Sequence, residues 1–127
     1  MDKITKVSVP GVPEPAGNIY SNALMVGNQL ILSGMIASDT SGDAYEQSVA
    51  CLEQIKNLVI GCGGRIEDVA KLTVYLTSMD SRPGFGQARS EYFSGRMPCS
   101  TLVVISALAR PGALVEVEAM AFIGAGT

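Results

Sequence analysis

The stretch from Leu114 to Ile123, LVEVEAMAFI, decides how this chain is built. It alternates residue by residue, the period of a β-strand, whose successive side chains point to opposite faces. Val115, Val117, Ala119 and Ala121 are small and apolar and suit packing beneath helices. Leu114, Glu116, Glu118, Met120 and Phe122 point the other way and mix large apolar side chains with carboxylates. An isolated domain leaves such a face half wet. A symmetric oligomer buries it and keeps polar clefts where subunits meet.

The segments before it supply the helices and the other strands. In AKLTVYLTS (Ala70–Ser78), Leu72, Val74 and Leu76 share one face and Lys71, Thr73, Tyr75 and Thr77 the other. Asp43–Gly61 is the clearest helix, with Tyr45, Val49, Leu52, Ile55 and Val59 recurring every three to four residues. Asp43 and Glu46 have capping-box spacing. Gly63-Gly64 ends the helix, because glycine accepts the left-handed C-terminal conformation. Lys3–Val9 alternates as a short first strand, and Val9–Asn18 is rich in proline and glycine and reads as an irregular arm. NALMV (Asn22–Val26) and QLILSG (Gln29–Gly34) flank Gly27-Asn28, a hairpin signal. A weaker helix opens at Pro83, and STLVVIS (Ser100–Ser106) is the strand before the last. The order is strand, hairpin, helix, strand, helix, two strands. It predicts an α+β design with both helices on one face of a six-stranded mixed sheet, in one domain over residues 1–127.

Composition narrows the function. Among 127 residues, 47% are hydrophobic and 17% charged, which is apolar for so short a chain and points to surface buried against another copy. The net charge of −3 comes with no basic cluster, which argues against a nucleic-acid partner. There is no histidine, so Ser-His and Cys-His nucleophile systems and the commonest metal ligand are absent. Cys51, Cys62 and Cys99 are not spaced as a metal set, and no metal or cofactor is expected. Cys51 and Cys62 read as small buried hydrophobes, and Cys99 has no histidine to activate it. GCGG (Gly61–Gly64) follows a helix rather than a strand, so it is not a phosphate loop. The N-terminal segment lacks the apolar core of a secretory signal and no apolar run reaches membrane-span length. A cytoplasmic protein with no membrane partner is the expectation.

Five segments together, YSNA (Tyr20–Ala23), LILSGMI (Leu30–Ile36), EDVAKLTVYLTSM (Glu67–Met79), MPCSTLVV (Met97–Val104) and LVEVEAMAF (Leu114–Phe122), resemble the RidA/YjgF family in the right order over nearly the whole chain. The resemblance implies a chorismate-mutase-like subunit and a homotrimer with a central barrel of sheets, helices outside and three intersubunit clefts. It implies a small-molecule substrate and hydrolysis of reactive enamines and imines, such as 2-aminoacrylate, to keto acids and ammonia. Other members are described as ribonucleases or aminomuconate deaminases. Carried over residue by residue, the family's tyrosine falls on Tyr20, its glycine on Gly34 and its late glutamate on Glu118. Deaminase members read Pro, a small residue, Arg, then Ser or Thr at the fifth strand. Here Pro98, Cys99, Ser100 and Thr101 stand there, so Ser100 replaces the arginine, and the connection before Pro98 is about three residues shorter.

In the deaminases that arginine is thought to hold the substrate carboxylate through a planar fork of donors, which a serine does not offer. Removing one partner of such a pair costs roughly 2–5 kcal/mol, or about 30- to 3,000-fold. General 2-aminoacrylate deamination is therefore not expected unless another cation substitutes. The candidates are Arg96, Arg89 and Arg110, with Arg96 preferred because its loop enters the cleft. Glu118 is expected to orient or activate water. Glu116 is the second candidate, and two close carboxylates raise one pKa. Tyr20 stacks on or donates to the ligand, and Ser100 and Thr101 offer hydroxyls and N–H groups. The expectation is a RidA-like homotrimer hydrolysing an imine with a non-standard preference. The alternative is a non-catalytic metabolite-binding or regulatory trimer, with ribonuclease activity weaker still for an acidic chain with no histidine and no platform of stacked aromatics.

Overall fold

Two-residue loops join antiparallel strands most tightly, and the chain uses one to begin its sheet. In the computed structural model, which describes residues 2–126, β2 (Ala23–Val26) and β3 (Gln29–Met35) pair with Val26 opposite Gln29, so Gly27-Asn28 is the whole turn. β1 (Ile4–Val7) adds to the outer side of β2. Helix α1 (Ala44–Gly61) follows, then β4 (Val69–Leu76), α2 (Arg82–Tyr92), β5 (Cys99–Val104) and β6 (Val115–Phe122). The strand order is β1-β2-β3-β6-β4-β5. β4 and β5 run parallel and the other pairs antiparallel. A parallel neighbour needs a crossover connection, and α2 supplies it. The α+β class and the six-stranded mixed sheet expected from the sequence are those of the structure.

The ends of α1 are made by local chemistry. The Asp43 carboxylate accepts from the Glu46 N–H at 2.8 Å, and the Glu46 carboxylate accepts from the Asp43 N–H at 3.1 Å, a complete capping box. At the other end Gly63, with φ +83°, lets its N–H reach the Ile60 carbonyl at 2.9 Å and the Gly64 N–H reach Val59 at 3.0 Å. This is the Schellman pattern, and it uses carbonyls that a helix end otherwise leaves bare. Between these caps, Cys51, Leu52, Ile55, Leu58 and Val59 are fully buried. They pack with Phe85 and Ala88 of α2 and with Leu72, Val74, Leu76, Val115 and Val117 of the sheet. Each such Val, Leu, Ile or Phe contributes roughly 1.5–3 kcal/mol by leaving water. Burial pushes the Cys51 thiol up to about 12, so it is an inert part of the core.

Both helices lie on one face of the sheet. On the other face Ile31 is 42% exposed and Val103 39% exposed, and every residue of the edge strand β5 is partly or fully exposed. Among the described residues no helix is long and apolar enough to cross a membrane.

One buried carboxylate closes the sheet at its β4–β6 end. Asp68 accepts backbone N–H bonds from Arg65 at 3.1 Å, Gly124 at 3.0 Å and Gly126 at 2.7 Å, tying the start of β4 to the end of β6. Burial alone pushes its pKa up, but the three donors outweigh it and hold the group below its ordinary 3.8. A lowered carboxylate pKa contributes stability that is present above the unfolded value and lost as pH falls through the folded one. Asp68→Ala is expected to reduce unfolding free energy at pH 7 by roughly 2–3 kcal/mol, with the difference from wild type shrinking below pH 3.8. Urea unfolding at both pH values checks it, and an unchanged midpoint at pH 7 contradicts it.

Candidate functional site

The register between β3 and β6 positions the site. Leu32 pairs with Ala119, but Met35 pairs with Val117, so Ser33 and Gly34 of β3 stand against the single residue Glu118 of β6, a bulge of one extra residue. Bulges re-aim side chains, and a glycine within one allows close approach. Here the neighbour is Glu116. A Cβ on Gly34 would lie 2.6 Å from the Glu116 carboxyl carbon and 2.8 Å from its Oε1. The carboxylate therefore lies directly over Gly34, in space that only glycine leaves open.

Around this contact is a groove of about 630 Å³. The proline-rich arm supplies Pro13, Glu14 and Tyr20, β3 supplies Gly34, and β6 supplies Glu116. Gln54 of α1 and Arg110 of the β5–β6 connection also line it. The arm is held by the buried Asn22, whose Nδ2 donates to the Pro13 carbonyl at 2.9 Å. Ser33 Oγ donates to the Ser21 carbonyl at 2.6 Å and fixes the arm to the bulge. Glu14 accepts from Ser8 at 2.6 Å and lies 3.5 Å from Lys6, so it is occupied. Glu116 has no hydrogen-bond partner among the described residues. Burial first, and the charge of Glu118 second, push its pKa above the ordinary 4.5.

The structure brings together Tyr20 and Gly34 from the residues singled out in the sequence, and their carboxylate neighbour is Glu116. Glu118 lies outside this groove within the chain. It accepts from the Tyr75 hydroxyl at 2.5 Å, and that bond is the main cause of the raised Tyr75 pKa. The expectation that Glu118 stands with Gly34 is thus replaced by Glu116, for a reason invisible in an alternating strand: the bulge decides which glutamate folds over the glycine. The arginine nearest the cleft changes too. Arg96 Nη2 donates to the Glu67 carbonyl at 2.6 Å, beside Tyr92 and Phe93 and away from the groove. Arg89 lies 5.6 Å from the Phe85 ring centroid. Only Arg110 of the three lines the groove with Glu116. Ser100 and Thr101 are exposed on β5, where the Thr101 hydroxyl accepts from Lys71 Nζ at 2.7 Å. They are not brought to Tyr20 within one chain. Cys99, exposed, starts the same strand. Asn22 and Gln54 were not expected in the site; their only sequence signal is position beside YSNA and on the first helix.

The fold is thus a six-stranded mixed sheet covered by two helices on one face and open on the other, with a carboxylate groove at a β3 bulge. Residues 12–123 match the family described as endoribonuclease L-PSP. A RutC family protein of Pyrococcus abyssi is 34% identical over 116 residues, covering 87% of this chain and 90% of its own. A 2-iminobutanoate/2-iminopropanoate deaminase of Dermatophagoides farinae is 27% identical over 123 residues, covering 92% and 94%. The crystal structure of a protein of unknown function from Pseudomonas aeruginosa superposes with TM-score 0.93 at 33% identity, covering 99% of this chain and 96% of that one. The chain belongs to the endoribonuclease L-PSP family, the RidA/YjgF proteins.

The carboxylate pair makes a direct prediction. Removing the Glu118 charge takes away one of the two causes that raise Glu116, so Glu118→Gln is expected to move the Glu116 pKa down toward 4.5. A carbon-detected NMR titration of the side-chain carboxyls reads it, and an unmoved or raised value refutes the coupling.

Proposed function

We propose that the chain assembles as a homotrimer whose intersubunit clefts hydrolyse a small imine or enamine to a carbonyl compound and ammonia. The observation that carries this reading is the Glu116 carboxylate, held over Gly34 in a groove beside Tyr20 with no hydrogen-bond partner among the described residues. Such a group is available to a water molecule and a substrate nitrogen. Its raised pKa brings it nearer to neutrality, where a group both takes and returns a proton most effectively. In the proposed reaction Glu116 accepts a proton from water as the water oxygen bonds to the C=N carbon. The π electrons of the protonated C=N move to nitrogen, giving a neutral carbinolamine. The nitrogen then takes the proton from Glu116, the C–N bond breaks and ammonia leaves, while the hydroxyl passes its proton to Glu116, and from there to solvent, as it becomes the carbonyl. Tyr20 offers a ring face or a hydroxyl to the ligand. The deaminase name of the mite relative supports the same chemistry.

The uncovered sheet face supports assembly. An exposed edge strand with apolar side chains is a liability for a lone subunit, and β5 with Val103 and Val104 is one. In the trimer β5 of a neighbouring subunit brings Ser100 and Thr101 to the groove, where their N–H groups hold the substrate's polar end. Ser100, in place of a guanidinium, also favours a second reading: a trimer that binds a metabolite without turning it over. Saturable binding with no ammonia from any imine is its signature.

Ammonia release from 2-aminoacrylate and from longer imines tests the first reading. Glu116→Gln is expected to lower kcat/KM by about 10²–10⁴, and Glu118→Gln by much less. Equal rates for wild type and Glu116→Gln sink the assignment. Light scattering is expected to give three times the chain mass of 13.2 kDa, and Val103→Asp to give the single-chain mass. A wild-type monomer removes the shared cleft.

A further inference from the structure

We propose that Arg110 is the substrate anchor of this groove and that it selects imines carrying a second, distal carboxylate. The proposal rests on the hydrolytic reading above for the word imine; the anion site itself stands on geometry.

Among the described residues Arg110 is the only lysine or arginine lining the groove. One of its nitrogens, Nη1, donates to the Ala37 carbonyl, which pins the guanidinium in place. Nη2 and Nε have no hydrogen-bond partner among the described residues, and no carboxylate of those residues lies within 4 Å of the group. A guanidinium carries five N–H donors in a planar fork, and one bond leaves a two-pronged edge free for a carboxylate. The groove thus presents an unpaired cation and, at Glu116, an unpaired anion. This charge pattern matches a zwitterion: a protonated imine nitrogen at Glu116 and a carboxylate at Arg110.

The spacing points to a distal carboxylate. Glu116 lies over Gly34, whereas Arg110 is tied to Ala37, three residues further along the chain. Three residues separate Gly34 from Ala37 by at most about 10 Å, which leaves room for a chain of several bonds between a C=N at Glu116 and a carboxylate at Arg110, whereas an α-carboxylate is bonded directly to the imine carbon. The groove, about 630 Å³, falls within the roughly 300–1,000 Å³ of sites that take drug-sized ligands, and exceeds the needs of a three-carbon acid.

Isothermal titration of the full-length protein with 2-oxoglutarate and 2-oxopentanoate tests this, since the two keto acids share a five-carbon chain and differ in the distal carboxylate. Wild type is expected to bind 2-oxoglutarate at least about tenfold more tightly. Arg110→Gln is expected to abolish the preference while leaving 2-oxopentanoate binding in place. Arg110→Lys is expected to retain part of it, as a point charge without the fork. A purely structural role through Ala37 would weaken both acids alike. That outcome, the absence of any preference in wild type, or an equal preference in wild type and Arg110→Gln overturns the assignment. If the Arg110-dependent preference holds but no imine is turned over, the hydrolytic reading falls and the anchor stands. If turnover requires Glu116 but the preference is missing, the anchor falls alone.

Discussion

The alternation of β6 between core and open face is the constraint on which the rest of the molecule depends. β6 lies between β3 and β4, so it is hydrogen-bonded on both edges and cannot shift without breaking two ladders. Val115, Val117 and Ala121 are fully buried under the helices, and Ala119 nearly so. A slip of one residue would drive Glu116 and Glu118 into that core and bring Val115 and Val117 out. Burying two unpaired carboxylates costs several kcal/mol each, on top of the lost apolar burial. The hydrophobic core therefore fixes the depth and direction of both carboxylates, and the site takes its precision from packing on the opposite side of the same strand.

Given that constraint, a local irregularity separates two chemically identical residues. Glu118 meets the Tyr75 hydroxyl from β4 and is engaged by it. Glu116 meets the Gly34 bulge from β3 and remains unpaired. Burial and the neighbouring charge then push the Glu116 pKa up. Pairs of carboxylates whose surroundings drive them apart are how one fold assigns different proton-transfer roles to the same side chain. Two residues beyond the end of β3 the Ala37 carbonyl accepts from Arg110, so Glu116 and Arg110 are both placed by the segment that carries the bulge.

The open sheet face and the groove belong to one economy of surface. A chain with 47% hydrophobic residues covers its core with two helices and still leaves Ile31 and Val103 of the open face in water. In the proposed trimer, further copies would cover that face and enclose the groove, which would lower the local dielectric around Glu116 and Arg110 and strengthen both interactions.

The sequence by itself determined the features that depend on near neighbours. The capped helix from Asp43, the Gly27-Asn28 hairpin, the two faces of β4 and β6, and hence the α+β class are all written in periods of two or 3.6 residues and in turn chemistry. These need only a few adjacent positions to act. Tyr20 and Gly34 were singled out through the family resemblance, and the structure puts both on the one groove. Which glutamate joins them, and which of three arginines faces them, was decided only by the tertiary structure. Glu116 and Glu118 look alike in an alternating strand, and their difference arises from a bulge on another strand, far away in sequence. Arg96 and Arg110 sit on loops whose paths depend on what those loops pack against: Arg96 reaches the Glu67 carbonyl and Arg110 the Ala37 carbonyl. Long-range pairing sets such positions, and no local period encodes it.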